Sequence, residues 1–436
     1  MPDERVPATR SALVDRDFRR LWAAQVVSVY GTQVSILAIP LVAALILRVS
    51  PFEFGLLSTL EFVPFLLVSL PAGVWIDRVR RRPILVTADV VRCLALLSIP
   101  LAVVLDRLTI GQLYAVVFLN GGLSVFFDVA AQSYLPTILE RDQLVDGNAK
   151  LELSRRTAQR LGPGIAGVLI GVVSAPFAVI ADAASYLVSA LFLSRIRERE
   201  ATVASEPGAS VAGVAPPSTR SVRHELVEGL RFVAKHPWLR VLALSVAIGN
   251  LFGYVVDSIL ILHLVTERGF AAPEIGFAFT IGSIGVICGA LLARRVTAVL
   301  GVGPTLLVAA LGESVSWLPI AIAPDAWLFA GLATTITALG FFSSFWTINA
   351  ISIRQAVTPA PLLGRVTATM RFISWGVIPL GALSGGILGS IVGLHATIWI
   401  GALGASLSGV PLALSSVSRV REMPAAADEP EGKRGA

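Results

Sequence analysis

The chain has 436 residues, of which 55% are hydrophobic and 15% charged, and its mean hydropathy is +0.77. That composition excludes an ordinary soluble domain. The net charge of +6 raises the question of a polyanionic partner, but the basic residues are distributed in a way that excludes nucleic acid.

A bilayer crossing needs roughly 20 apolar residues, and twelve stretches qualify. They are 21–47, 52–76, 84–104, 110–132, 158–174 and 176–195, then 238–264, 273–293, 303–323, 326–350, 366–391 and 394–416. The expected fold is an all-α integral membrane protein of twelve helices in two pseudo-symmetric six-helix bundles, at 21–195 and 238–416. Residues 1–20 read as a charged cytoplasmic arm and 196–237 as a cytoplasmic linker ending in an amphipathic helix. Residues 417–436 read as a disordered tail. Arg78 to Arg82, Arg141 to Arg160, Arg195 to Lys235, Arg294–Arg295 and Arg354 to Arg365 all fall on one side of this topology. Arg48, Arg107 and Arg268 fall on the other. Positive charge is retained on the cytoplasmic side, so both termini are expected there, and the first span serves as insertion signal without a cleaved leader.

Taken in order, span one carries Gln25, Ser28, Tyr30, Thr32 and Gln33, polar groups that face protein or a watery cavity rather than lipid. Span two carries Glu61, whose default reading inside a membrane is functional. The loop GVWIDRVRRRP, Gly73 to Pro83, joins spans two and three as a tight basic hairpin. Asp89 and Arg92, three apart, predict a local ion pair. Asp128, at the cytoplasmic end of span four, has two readings: proton carrier, or partner of Arg81 in an inward-side latch, the latter preferred.

The stretch from Glu140 to Arg160 is expected to be a cytoplasmic connection with short amphipathic helices. Gly162, Pro163, Gly164 and Gly167 open span five as a closely packed, deformable element. Asp182 in span six is read as a hydrogen bond to span five. HELVEGLRFVAKHPWLR reads as an amphipathic helix lying at the interface. In the second half, Asn250, Asp257 and Glu313 are the candidate intramembrane polar groups, and Arg371 is expected to pair at the cytoplasmic gate. His263 and His395 are placed near opposite membrane-edge connections. Cys93 and Cys288 read as small apolar residues, and no metal site or cofactor is expected.

The halves repeat. Gly73, Asp77 and Arg78 align with Gly289, Ala293 and Arg294, and LGPGIAGVLIG aligns at nearly the same spacing with PLGALSGGILG. A six-span unit repeated in parallel is a transporter architecture.

The loop from Gly73 resembles the signature G-x-x-x-D-R-x-G-R-R of the major facilitator superfamily. Gly73, Asp77, Arg78, Arg81 and Arg82 match, and Arg80 replaces a Gly. The element at Gly162 to Gly167 resembles the G-P-x-x-G-G core of the exporters' antiporter signature, with Ala166 in place of the first paired Gly. Together with VFFDVAAQSYLPTIL and ELVEGLRFVAKHPWLR, these stretches resemble the branch of enterobactin and macrolide exporters. The resemblance implies secondary active export by alternating access, usually driven by protons. It implies a bacterial cytoplasmic-membrane location and a small amphipathic substrate: a drug, antibiotic or siderophore. Substrate or proton binding is then expected at Glu61, Asp257, Glu313, Asn250 and Gln25. A cytoplasmic gate is expected from Asp77, Arg78, Arg81, Arg82, Asp128 and Arg371. The partners expected are substrate, protons and the bilayer, with the protein a monomer. The alternative is an importer of a small nutrient on the same fold. An enzyme is not expected, because no G-x-S-x-G, H-E-x-x-H or G-x-x-x-x-G-K-[ST] motif is present.

Overall fold

A computed structural model describes residues 11–76, 79–196 and 222–422. Regular structure among them is helical throughout. In chain order the helices are α1 (Arg16–Leu41), α2 (Pro51–Ile76), α3 (Arg81–Val104), α4 (Ile110–Ile138), α5 (Leu144–Val173), α6 (Ala175–Ser194), α7 (Val222–Lys235) and α8 (Pro237–Thr266). Then come α9 (Ala272–Leu300), α10 (Val302–Val315), α11 (Leu318–Ile322), α12 (Leu328–Val357), α13 (Leu363–Gly376), α14 (Ile378–Val392), α15 (Leu394–Ser406) and α16 (Val410–Ala413).

Among the described residues, eleven helical runs are long and apolar enough to cross a membrane. In three of these runs, α10–α11, α13–α14 and α15–α16, the helix is interrupted just before Pro319, Pro379 and Pro411. Proline supplies no N–H and crowds the preceding turn, which accounts for these breaks. The twelfth predicted span is α5, whose apolar half follows a charged first half. The expected connection of short helices from Glu140 is instead one continuous 30-residue helix after a single 3-10 turn. Its polar half is held by i,i+4 pairs: Lys150 with Asp146, and Arg156 with Glu152 at 2.6 Å.

Helix ends are set by local side chains. Asp15 caps α1 by accepting from the N–H groups of Asp17 and Phe18, at 2.7 and 2.9 Å. Ser50 and Glu53 form reciprocal bonds at the start of α2. Arg82 donates to the carbonyls of Leu193, at 3.3 Å, and of Ser194, capping the otherwise unpaired end of α6.

The chain divides into two compact units. The first comprises Met1–Arg48, Leu60–Gly208 and Ala271–Phe277, and the second comprises Val49–Thr59, Ala209–Phe270 and Ala278–Ala436. In the first, Phe18, Leu21, Ile76, Leu85, Tyr134 and Leu193 form the apolar core. It also holds a buried polar network. Arg92 pairs with Asp89, donates to Ser124 at 3.3 Å, and lies over the rings of Phe127 and Tyr186 at 4.6 and 4.3 Å. Asp182 accepts from Ser185 at 3.2 Å and from Ser35 of α1. The expected ion pair of Asp89 and Arg92 is present. Asp182, however, bonds α1 rather than span five, because α6 packs its Asp182–Ser185 face directly on Gly31 of α1. In the second unit, Val233, Leu239, Leu242, Leu306, Ile353 and Met370 are core. The helix α7 packs on α13: Glu228 pairs with Arg365 at 2.8 Å, and a Cβ on Gly229 would strike Thr369 Oγ1.

Candidate substrate recess

Within the second unit, α8, α10, α12 and α13 enclose a recess of about 510 Å³. Its walls bring together three residues expected from the sequence: Asn250 of α8, Glu313 of α10 and Arg371 of α13. Each helix delivers them for a plain reason. Glu313 lies one turn on from Ala310 on the same face of α10, and both line the recess. Asn250 Nδ2 donates to the main-chain oxygen and hydroxyl of Ser374, fixing the α8–α13 edge. Arg371 lies over the Trp375 ring at 5.2 Å, four residues along the same helix.

Trp346 and Arg354 of α12 complete the chemistry. The buried Nε of Arg354 and Oγ of Ser245 have no hydrogen-bond partner among the described residues. Unsatisfied buried donors are costly. One carboxylate, two guanidiniums and two indoles around one volume suit a small molecule with an aromatic or apolar body and polar ends. Trp346, Trp375 and Arg354 were not singled out from sequence. An Arg and a Trp spaced four apart, Arg371 and Trp375, were the signal available.

The other expected residues lie elsewhere. Asp257 is exposed on α8 in the second unit but does not line the recess. Glu61, exposed on α2, and Gln25, half-buried on α1, belong to the first unit, as do half-buried Arg81 and exposed Asp128. Asp77 and Arg78 lie outside the described residues, as does the immediate packing of Gly73. Arg371, expected at a gate, lines the recess and lies over Trp375. Gly162, Gly164 and Gly167 are buried and Pro163 half-buried. A Cβ on Gly162 would lie 2.4 Å from the Gln33 side chain. His263 and His395, expected at opposite edges, have ring centroids 6.0 Å apart, because the end of α8 meets the start of α15.

A family model described as Major Facilitator Superfamily matches residues 21–260. The chain belongs to the major facilitator superfamily. This transporter is 27% identical over 380 residues to the multidrug efflux pump Tap of Mycolicibacterium fortuitum, covering 86% of this chain and 89% of that protein. It is 23% identical to the uncharacterized MFS-type transporter YfiS of Bacillus subtilis, covering 86% and 87%. Among solved structures, a bacterial homologue of the iron transporter ferroportin superposes with a TM-score of 0.68 at 14% identity, covering 93% and 99%. The nucleoside transporter NupG gives 0.66 at 11% identity, covering 91% and 98%. The structural likenesses show the fold, and the family match makes the chain a multi-pass membrane transporter.

Proposed function

We propose that this transporter exports a small amphipathic molecule, drawn into the recess of the second unit, in exchange for protons. The observation that carries the reading is the convergence of Glu313, Arg354, Arg371, Trp346 and Trp375 on one volume. Similarity to a multidrug efflux pump supports export. Glu313 is the acid assigned to proton exchange, because it shares the recess with the substrate groups. Substrate and proton can then compete for one carboxylate, as exchange requires. Arg81 and Asp128 retain the assignment of a cytoplasmic latch, with Asp77 and Arg78. Arg82 is reassigned as a strut on the end of α6, since its donors meet the Leu193 and Ser194 carbonyls. The transporter acts as a monomer with both termini in the cytoplasm of a bacterial cell.

The test is accumulation of fluorescent and antibiotic compounds in an efflux-deficient bacterium, with and without a protonophore. Lower accumulation that the protonophore abolishes is the expected result. Raised accumulation of any compound would instead establish the import reading.

A further inference from the structure

At the arginine-rich end of the first unit, the opening turns of α1 and the last turn of α6 form a recess of about 620 Å³. It is lined by Arg16, Arg19, Arg20, Trp22, Phe192 and Arg195. We propose that this recess binds the headgroup of an anionic phospholipid.

The argument starts with charge. Four guanidiniums from two helices line one concavity, and the neighbouring acids are already engaged. Asp15 accepts from two backbone N–H groups of α1. Asp17 is buried and pairs with Arg20 at 2.9 Å. Arg16, Arg19 and Arg195 are exposed, and none of them forms an ion pair among the described residues. Guanidinium donors in a fixed fork match phosphate oxygens, and several converging on one point exceed what a single surface arginine achieves.

The second strand is the apolar lining. Trp22 and Phe192 stand beside the arginines in the same recess. The indole of Trp22 is fixed by its Nε1–H donating to Ser154 Oγ at 3.0 Å. Tryptophan at the end of a membrane-crossing helix favours the headgroup level, and α1 and α6 are both such helices. A free phosphate would use the arginines and leave the aromatic wall unoccupied. A phosphate esterified to glycerol and acyl chains uses both. Basic pockets between transmembrane helices are suited to such headgroups. The bound lipid would bridge the ends of α1 and α6, helices already joined there by Arg20 donating to the Arg195 carbonyl.

The experiment uses the full-length transporter purified in detergent, with bound lipid counted by native mass spectrometry. Phosphatidylglycerol, phosphatidylcholine and inorganic phosphate are added separately and in competition. The expected result is phosphatidylglycerol bound at least about tenfold more tightly than phosphatidylcholine and not displaced by inorganic phosphate. The combined variant Arg16→Gln, Arg19→Gln, Arg195→Gln should fall to the phosphatidylcholine level, while Arg156→Gln on α5 should bind as the unaltered protein does. Equal binding of both lipids, phosphatidylglycerol retained by the combined variant, or displacement by inorganic phosphate would each overturn the proposal. If the combined variant does not fold, Arg16→Gln and Arg195→Gln are read singly. Each replaces one exposed residue and should weaken phosphatidylglycerol alone; undiminished binding by both would equally overturn it.

Discussion

Asn250 Nδ2 donates to the main-chain oxygen of Ser374 at 2.7 Å and to its hydroxyl at 2.8 Å. One side-chain amide thus joins α8 to α13 at the edge of the recess that also holds Glu313 and Arg371. Asn250→Ala removes both bonds and should lower stability by about 1–2 kcal/mol. Asn250→Asp should cost more, since it sets a carboxylate against the Ser374 carbonyl oxygen and leaves only the Ser374 hydroxyl to donate to it. Thermal unfolding in detergent checks the order, and an Asp variant as stable as the unaltered protein contradicts it.

The buried pair of Asp89 and Arg92 makes an asymmetric prediction. Removing one partner strands a charge inside the first unit, so Asp89→Ala or Arg92→Ala alone should destabilise by about 3–5 kcal/mol. Replacing both together should cost less than the sum of the single changes, because neither charge is then left unpaired. Unfolding midpoints of the two single variants and the double variant form the cycle. Strict additivity would show that the pair does not act as a unit.

Gly55 and Gly167 are among the glycines that make close helix crossings possible. A Cβ added to Gly55 would lie 2.5 Å from Gly386 Cα, and one added to Gly167 would lie 3.1 Å from Gly276 Cα. In both cases the obstacle is backbone, which cannot swing aside. Gly55→Val and Gly167→Val should each cost about 1–3 kcal/mol by overpacking and slow transport. Gly364, with no atom within 4 Å of an added Cβ, should accept Ala with unchanged transport in the same assay.

The first turn of the described chain docks on α5 through Asp146, which accepts from Lys150 and from the Ala12 N–H at 2.7 Å. Lys150 first, and Ala12 next, hold this carboxyl below its usual range. A depressed carboxylate contributes its stability above the unfolded pKa of about 3.9 and loses it as pH falls through the folded value. Docking should therefore persist from neutral pH down to about pH 4 and fail only in stronger acid. Hydrogen exchange at the Ala12 amide reads this directly. Loss of protection near pH 6 would contradict the assignment, and Asp146→Asn should abolish the acid dependence.

Much of the helix layout was legible because long apolar runs have few alternatives in a chain this hydrophobic. The extension of α5 back to Leu144 was not, because its polar half is helical through i,i+4 pairs rather than through an apolar stripe. Asn250, Glu313 and Arg371 could be named because charged and amide groups stand out in apolar spans. Trp346 and Trp375 could not, since an aromatic in such a span looks the same whether it faces lipid or a recess. The partner of Asp182 was missed for a related reason. Which face of α6 meets α1 depends on helix rotation, which a single sequence leaves open. The 6.0 Å approach of His263 and His395 likewise depends on which helix ends meet.

The central claim is that Glu313 links proton movement to movement of an amphipathic substrate. The most direct measurement places the purified transporter and its Glu313→Gln variant in proteoliposomes under an imposed pH gradient. A fluorescent lipophilic cation reports transport, and Trp quenching reports binding. The account predicts that the unaltered protein moves the cation against the proton gradient. The variant, held in the uncharged form that a bound proton produces, should bind the cation more weakly and show no gradient-driven movement. Gradient-driven transport by Glu313→Gln at the unaltered rate would contradict it.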